Sequence, residues 1–252
     1  MTQTPLLRVR NLAKAFGGTR AVDHVNFELP AGRVQALIGP NGAGKTTLFN
    51  LLTGHLRADS GSVIFREKEI LGLPPHAVWR RGISRTFQVP AIFENLTLLE
   101  NVQVALRSHE RRLLRPLPLA QAPTRAAELV AAVQLCEPLQ APAYSLAYGN
   151  RKRLELAIAL ANEPALLLLD EPTAGLAPSE RARLMQLVHT IATRQSITIL
   201  FTEHDMDVVF EQAHYVFVMH QGSLIEQGTP EEVRANRRVQ EVYLGEAESG
   251  SV

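Results

Sequence analysis

The stretch Gly39–Thr47, which reads GPNGAGKTT, constrains this chain more than any other part of its sequence. It fits the pattern G-x-x-x-x-G-K-[ST] and lies between the apolar run Val34–Ile38 and a segment, 45–53, whose leucines have helical spacing. Glycines let backbone N–H groups converge on phosphate oxygens, and a following helix directs its positive end to the same place. The alternative, a glycine-rich turn with a surface lysine, is disfavoured by the flanking strand and helix.

The residue types in this loop predict individual roles. Lysine occurs at only four positions of the chain, and Lys45 is the one that the pattern requires to neutralise the β- and γ-phosphates. The Thr46 hydroxyl is a candidate Mg²⁺ ligand. The predicted nucleotide-binding residues are Gly39, Pro40, Asn41, Gly42, Ala43, Gly44, Lys45, Thr46 and Thr47.

Two carboxylates follow a second apolar run, Ala165–Leu169. Four consecutive leucines indicate a buried parallel strand, and the carboxyl ends of such strands are where α/β sheets bind ligands. We expect Asp170 to support Mg²⁺ and Glu171 to act as the general base on the attacking water. A strand that ends in solvated acids is common for this pattern alone, but less so beside a phosphate loop.

Three further residues give weaker signals. His204 follows an apolar strand and could contact the γ-phosphate or position the water, although lone histidines are usually structural. Gln88 could ligate Mg²⁺ or contact the water. Phe16 could stack on a purine base, with core packing as the alternative.

Apolar patterning outside these motifs predicts an α/β core interrupted by helices. The predicted strands are Val22–Leu29, Val34–Ile38, Ser62–Phe65, Ala165–Leu169, Ile197–Thr202, Val216–Met219 and Ser223–Gln227. The predicted helical segments are 45–53, Val102–Leu106, Ala126–Val133, Leu154–Leu160, Arg181–Ala192 and Asp205–Ala213.

Composition and charge restrict the function classes. The formal net charge of the 252 residues is +1. Proteins that bind nucleic acid usually have a strongly basic surface, so this charge argues against a nucleic-acid partner. Cys136 is the single cysteine, so no disulfide forms within the chain, and we expect its thiol to pack in the core. Apolar stretches such as Ala157–Leu169 are too short to span a bilayer, so we expect any membrane role to come through partners.

Six motifs follow one another along the chain: Phe16, GPNGAGKTT, RTFQ, LAYGN, LLLLDEP and TEHD. Their order is more informative than any one of them. In this order they resemble the ATP-binding subunit of an ABC transporter over essentially the whole chain. The resemblance implies an α/β fold, with a RecA-like P-loop core, an antiparallel β subdomain and an inserted α-helical subdomain. It implies one domain over 1–252, in which 1–87 and 160–252 form the core with its C-terminal tail and 88–159 form the helical subdomain.

The resemblance also assigns residue roles. It places Phe16 on the adenine, Gln88 in the Q-loop with a contact to Mg²⁺, and His204 at the switch position. It implies that two subunits pair head to tail with two ATP molecules between them. Each ATP is then bound by the phosphate loop of one subunit and by the signature of the other. The signature residues expected to act in trans are Ala147, Tyr148, Gly149 and Asn150.

This chain departs from the family pattern at two places. Ala147 replaces a serine whose hydroxyl would reach the γ-phosphate across the dimer, and Asn150 is a shortened amide. Ala177 replaces the polar last residue of the D-loop, 174–177. Two interpretations stay open: a degenerate site beside a partner that completes the active one, or a slower functional site.

The type of transporter follows from further stretches. FENLTLLENV at 93–102, FTEHDMDVVF at 201–210, QGSLIEQGTPEEV at 221–233 and YLGEA at 243–247 resemble ATPases of branched-chain amino acid importers and their urea and amide relatives. The expected function is ATP hydrolysis that energises uptake of such a small polar solute. The alternatives are an ATPase of lipopolysaccharide export and a soluble ABC ATPase without a transport role.

The same resemblance predicts the partners. They are transmembrane permease subunits, a second ATPase subunit in a homo- or heterodimer and, indirectly, a periplasmic solute-binding protein. The segment Val89–Leu106 follows the Q-loop, where the permease coupling helix docks in the family. We therefore expect a peripheral protein at the cytoplasmic face of the inner membrane, bound through its permeases.

Overall fold

A computed structural model describes residues 4–113 and 122–249 of the chain. Its strands, in chain order, are β1 (Leu7–Phe16), β2 (Thr19–Leu29), β3 (Val34–Ile38), β4 (Ser60–Phe65), β5 (Lys68–Glu69), β6 (Ile83–Thr86), β7 (Leu166–Asp170), β8 (Thr198–Thr202), β9 (Tyr215–His220) and β10 (Ser223–Gly228). Its helices are α1 (Lys45–Leu52), α2 (Pro75–Arg80), α3 (Leu98–Leu113), α4 (Ala122–Ala132), α5 (Tyr148–Leu160), α6 (Pro178–Gln195), α7 (Met206–Gln212), α8 (Pro230–Ala235) and α9 (Arg237–Ser249).

The described strands form an antiparallel sheet and a larger, mainly parallel sheet. The antiparallel sheet has the order β2-β1-β4-β5, and the larger sheet has the order β10-β9-β3-β8-β7-β6. In the larger sheet β3, β8, β7 and β6 run parallel to one another, so their carboxyl ends lie at one edge. Because each strand leads into one of the predicted motifs, the topology alone gathers these motifs at that edge.

The larger sheet is covered on both faces. Leu167 and Leu169 belong to a hydrophobic cluster that includes the helices α5 and α6. Leu166 and Leu168 belong to a second cluster, which joins the sheet to α1 and the antiparallel sheet. This alternation explains the run of four leucines, since a parallel strand buried on two faces needs apolar side chains at every position.

Helices α3, α4 and α5 lie between β6 and β7 in the chain and pack against one another. Asn101, a buried residue on α3, holds the segment that precedes this helix. Its amide nitrogen donates to the carbonyl oxygens of Phe93, Leu96 and Thr97, at 2.9–3.3 Å, and its amide oxygen accepts from the Phe93 N–H at 2.8 Å. One side chain therefore satisfies four backbone groups of a loop that has no strand or helix of its own.

Each predicted strand and helix overlaps an observed one, but some observed elements were not predicted. The strand β6 was not predicted because Ser84 and Arg85 interrupt its run of apolar residues. The helix α8 was also not predicted, although the sequence contains a signal for its start: Thr229 and Glu232 have the spacing of a capping box, and they form one in the structure. The helices α2 and α9 were also missed.

The expectation for Cys136 was wrong. Its thiol is exposed, in a loop that follows the end of α4. Val133 and Leu135, which are buried on either side of the turn, supply the core contacts of this segment instead.

Within residues 4–113 and 122–249, no helix combines the length and the apolar character needed to cross a membrane.

The Asn101 network predicts a large effect on stability for one substitution. We expect Asn101→Ala to lower the free energy of unfolding by about 1–3 kcal/mol, because it leaves the Phe93 N–H without its acceptor and removes a second donor from three carbonyl oxygens. The measurement is urea unfolding followed by circular dichroism. Gln103→Ala, at a half-buried position of the same helix, is the control and should change stability by less than about 1 kcal/mol. A loss for Asn101→Ala no larger than for this control would contradict the role.

Candidate functional site

The phosphate loop connects β3 to α1, and its glycines are required by its shape. A Cβ on Gly39 would lie 2.0 Å from the Met219 carbonyl oxygen, and one on Gly44 would lie 2.1 Å from the Ala21 carbonyl oxygen. Gly44 also has a φ of 104°, in the left-handed region that favours glycine. The loop is thus packed between β9 and β2, with a backbone that only glycine permits at these points.

The lysine of this loop is folded back onto it. Lys45 is 7% exposed, and its Nζ donates to the carbonyl oxygens of Gly39 and, at 3.0 Å, of Pro40. No side chain caps the first turn of α1, and that turn has no acidic residue. The helix therefore presents uncapped N–H groups and a positive charge at one place, which suits a polyphosphate. The Thr46 side chain is exposed at the same helix end, and Thr47 is half-buried beside it.

Asp170 ends β7 as a buried carboxylate with a donor on each oxygen. Its Oδ2 accepts from an Arg85 guanidinium nitrogen at 2.7 Å, and its Oδ1 accepts from the Thr202 hydroxyl at 2.9 Å. Arg85 also donates to the Asn50 side chain at 2.6 Å, which links Asp170 to α1. A carboxylate this deeply buried needs such partners, and together they fix its orientation at the end of β7.

Glu171 is the point at which three of the predicted residues meet. Its Oε2 accepts from the Gln88 amide nitrogen at 2.8 Å, and its Oε1 lies 2.8 Å from His204 Nε2. Glu171 has a φ of 47°, a left-handed conformation that is unfavourable for a residue with a side chain. The Thr202 hydroxyl and the Lys152 ammonium hold its backbone N–H and carbonyl, both at 3.0 Å.

Beside Glu171 lies a second buried acid, Glu203, which shapes the following loop. Its carboxylate accepts from the Thr173 N–H at 2.7 Å. Burial raises the pKa of this carboxyl, while the hydrogen bonds to Thr173 act in the opposite direction. Glu203 thus fixes the segment that follows Glu171 in the chain.

The interior beneath Gln88 contains an opposite-charge pair, Glu155 and Lys152, on α5. Burial raises the pKa of the Glu155 carboxyl to about 7, although two backbone N–H groups and the charges of Lys152 and Arg85 lower it. Burial lowers the pKa of the Lys152 ammonium, and nearby acids, Glu155 first among them, counteract this. Lys152 Nζ also donates to the Gln88 carbonyl at 3.3 Å.

Phe16 does not pack in the core, so the alternative considered for it is wrong. Its side chain is 49% exposed at the end of β1, where Phe16 pairs with Thr19 across the hairpin. The Lys14 ammonium lies 5.5 Å from the centroid of the ring. Because β2 contacts the phosphate loop through Ala21, this exposed ring is on the strand pair that borders the loop.

The signature segment, 146–150, forms the start of α5. Ala147 is the N-cap residue and provides no side-chain hydrogen bond, and Tyr148 and Gly149 begin the helix. The Tyr148 hydroxyl donates to the Gln88 carbonyl at 3.2 Å, so this residue contacts the Q-loop of its own chain. The Asn150 amide donates to Glu137 rather than standing free.

The D-loop, 174–177, packs directly on the signature segment. A Cβ on Gly175 would lie 3.1 Å from the Tyr148 ring, and Ala177 is an N-cap without a side-chain hydrogen bond. Arg181 donates to the Leu176 carbonyl at 2.8 Å and to Asp205 at 2.7 Å. The loop is therefore fixed by Arg181 to the residue that follows His204.

Several residues that hold the site were not predicted, namely Arg85, Lys152, Glu155, Arg181, Thr202 and Glu203. Two of them had a signal in the sequence. Arg85 interrupts an apolar strand, and Glu155 lies inside the apolar run Leu154–Leu160, where a charge is unexpected. Thr202 and Glu203 carried no signal of their own, because their partners, Asp170 and Thr173, lie about 30 residues away in the chain.

Taken together, the packed phosphate loop, the Asp170–Glu171 pair and the convergence of Gln88 and His204 define a P-loop nucleoside triphosphatase. The uncapped first turn of α1, with the Lys45 ammonium beside it and no acidic residue, fits a polyphosphate. Among the described residues no group of three or more His, Cys, Asp or Glu side chains could hold a metal ion by itself.

Comparison with known proteins identifies the family. The model described as "ABC transporter" matches residues 22–174, and the model described as "Branched-chain amino acid ATP-binding cassette transporter" matches residues 223–249. The chain belongs to the ABC transporter family, as an ATP-binding subunit of the kind that hydrolyses ATP to power transport.

The similar proteins include full-length relatives. The high-affinity branched-chain amino acid transport ATP-binding protein LivG of Escherichia coli is 40% identical, over 96% of this chain and 99% of LivG. BraF of Pseudomonas aeruginosa, with the same description, is 39% identical over the same shares of the two chains. The lipopolysaccharide export system ATP-binding protein LptB of Escherichia coli is 35% identical, over 95% of this chain and 97% of LptB.

Solved structures support the same family. An ATP-binding cassette of an ABC transporter in its ADP conformation has a TM-score of 0.85 and 32% identity, over 96% of this chain and 100% of that chain. A nucleotide-free cassette has a TM-score of 0.84 and 31% identity, over 95% and 99% of the two chains. The expected fold class, an α/β RecA-like P-loop core with further β and α-helical parts, is confirmed.

The pKa of Glu155 predicts how stability depends on pH. The folded pKa of about 7 lies above the ordinary value of 4.5, so the folded chain loses stability as the pH rises between these values. Glu155→Gln removes this term, and we expect its stability relative to the wild type to improve from pH 5 to pH 8, by up to about 3 kcal/mol. Urea unfolding at both pH values measures this, and parallel pH profiles for the two proteins would refute it.

Proposed function

We propose that this chain is the ATP-hydrolysing subunit of an importer of branched-chain amino acids or closely related amino acids and amides. The observation that carries the catalytic part is Glu171, whose carboxylate is held by Gln88 and His204 at the carboxyl edge of the parallel strands. The similarity to LivG and BraF over nearly their whole length, together with the C-terminal match at 223–249, supports the substrate class.

The nucleotide is held by the residues of the phosphate loop. The N–H groups at the start of α1 and the Lys45 ammonium face the β- and γ-phosphates, and the exposed Phe16 ring stacks on the adenine. Mg²⁺ would be held by the Thr46 hydroxyl, the Gln88 amide oxygen and Asp170, and would supply charge neutralisation on the phosphates. Arg85 and Thr202 orient Asp170 by hydrogen bonds to its two oxygens.

Glu171 is the general base of the proposed reaction. Its carboxylate accepts a proton from the attacking water, and the donors Gln88 and His204 fix the direction of its two oxygens. The backbone strain at Glu171 is consistent with a side chain held in one position for catalysis.

A second subunit completes the site in this proposal. The uncapped start of α5, with the N–H groups of Tyr148 and Gly149, would face the γ-phosphate bound by a partner subunit. Ala147 lacks the hydroxyl that would add a hydrogen bond to that phosphate, and such a bond contributes roughly 1.5–3 kcal/mol. Asn150 acts indirectly, since its amide fixes the helix to Glu137.

An open groove of about 450 Å³ is the proposed docking site for the permease. It lies between α2, β6 and the helices α3 and α5, and its apolar lining includes Val78, Trp79, Phe87 and Ile158. Phe93 and Val104 are exposed at this groove. An apolar helix of a permease is the occupant that suits such a lining.

We further propose one cassette over 1–252, with 88–159 as its helical subdomain. In this proposal the protein lies at the cytoplasmic face of the inner membrane through its permeases, and a periplasmic binding protein delivers the solute to them. Lipopolysaccharide export is the second candidate function, because LptB is 35% identical. The match at 223–249 favours the amino acid importer over it.

The test of this function is uptake by the reconstituted complex. Vesicles that contain the chain, the permeases and the binding protein encoded with it should accumulate labelled leucine, isoleucine or valine only with ATP and Mg²⁺. Glu171→Gln should keep ATP binding but abolish both hydrolysis and uptake, because it removes only the general base. Lys45→Ala should lose ATP binding. Undiminished turnover of Glu171→Gln would refute its role, and ATP turnover without uptake of these solutes would refute the substrate class.

The missing hydroxyl of the signature gives a second prediction. We expect Ala147→Ser to raise the ATPase rate of the assembled complex, since it adds a hydrogen bond to the γ-phosphate. Ala131→Ser, at an exposed position of α4, is the control and should leave the rate unchanged. An unchanged or lower rate for Ala147→Ser would indicate a degenerate site that turnover does not need.

A further inference from the structure

Glu155 is a buried acid to which neither the sequence motifs nor the proposed mechanism assigns a task. It lies on α5, the helix that begins with the signature segment, and is only 4% exposed. It lines the floor of the groove and also the small cavity behind it. A charged group in such a place lowers stability unless it makes specific hydrogen bonds.

The contacts of Glu155 are with one short loop. Its Oε1 accepts from the N–H of Phe87 and from the N–H of Ala91, each at 3.0 Å. These two residues stand immediately before and three residues after Gln88, so a single carboxylate oxygen closes the loop 87–91 at both ends. No helix or strand includes this loop, and Glu155 supplies the hydrogen bonds that regular structure would otherwise provide.

The same helix holds the middle of the loop. Lys152, one turn before Glu155, donates to the carbonyls of Gln88 and Glu171 at 3.3 and 3.0 Å. The Tyr148 hydroxyl, a further turn back, also donates to the Gln88 carbonyl. The backbone of the loop is thus fixed from one face of α5, while the Gln88 amide nitrogen reaches the Glu171 carboxylate at 2.8 Å.

We propose that Glu155 is a positioning residue for ATP hydrolysis, which fixes the loop 87–91 so that Gln88 holds the general base Glu171. The inference rests on the proposed function only for the role of Glu171. Lys152 on the same helix and Arg85 on β6 are the charged groups that act on Glu155, and they lower the pKa of its carboxyl against the larger effect of burial.

A pair of variants separates positioning from structural support. Glu155→Ala removes the acceptor, whereas Glu155→Gln keeps an oxygen that can accept both N–H groups. In the assembled complex we expect Glu155→Ala to lower kcat at least tenfold with the KM for ATP within twofold of the wild type. Glu155→Gln should stay within threefold in both parameters. Glu163→Gln, an exposed glutamate beyond the end of α5, is the control.

The kinetic results test the role of Glu155 and the proposed function separately. A kcat for Glu155→Ala within threefold of the wild type, or an equal loss for Glu155→Gln, would overturn the inference. A wild-type complex that does not hydrolyse ATP would instead overturn the proposed function. If Glu155→Ala does not fold, hydrogen exchange of the wild-type complex tests whether Glu155 fixes the loop 87–91. The amides of Phe87 and Ala91 should then exchange at least tenfold more slowly than that of the exposed Val89, and equal rates would overturn the inference.

Discussion

The site depends on the hydrogen bonds that converge on the Glu171 carboxylate. Gln88 follows β6, Glu171 follows β7 and His204 follows β8, so three neighbouring parallel strands must keep their register for these side chains to meet. The leucines of β7 bury that register on both faces of the sheet. The hydrophobic core therefore determines the geometry around Glu171, and a loss of packing in the sheet would also disturb the proposed general base.

The helix α5 has a comparable role on the other side of the site. Its first turn carries the signature segment, and its second and third turns hold the loop of Gln88 through Lys152 and Glu155. A rotation of this helix would move both the signature segment and the loop of Gln88, and with that loop one of the two side chains that contact Glu171. The groove proposed for the permease is lined by the same helix, so docking there acts on a rigid element that reaches the site.

The sequence indicated candidate ligand-binding residues, but it did not indicate the residues that hold them in place. Lys45, Asp170 and Glu171 could be assigned because glycine spacing and a four-leucine strand have direct physical meanings. Arg85 and Glu155 could not be assigned, since their partners, Asp170 and the N–H groups of the Gln88 loop, lie at least 60 residues away in the chain. Cys136 was placed wrongly in the core because a helical pattern was extended past the end of α4.

The most direct test of the account is hydrogen exchange of the assembled Glu171→Gln complex, with and without Mg-ATP. The account predicts that ATP protects two separate parts of this chain, the amides of Lys45 and Thr46 in the phosphate loop and those of Tyr148 and Gly149 in the signature. The first pair would contact the nucleotide bound by this chain, and the second pair the nucleotide bound by its partner. Protection of the phosphate loop alone, with unchanged exchange at the signature, would contradict a site shared between two subunits.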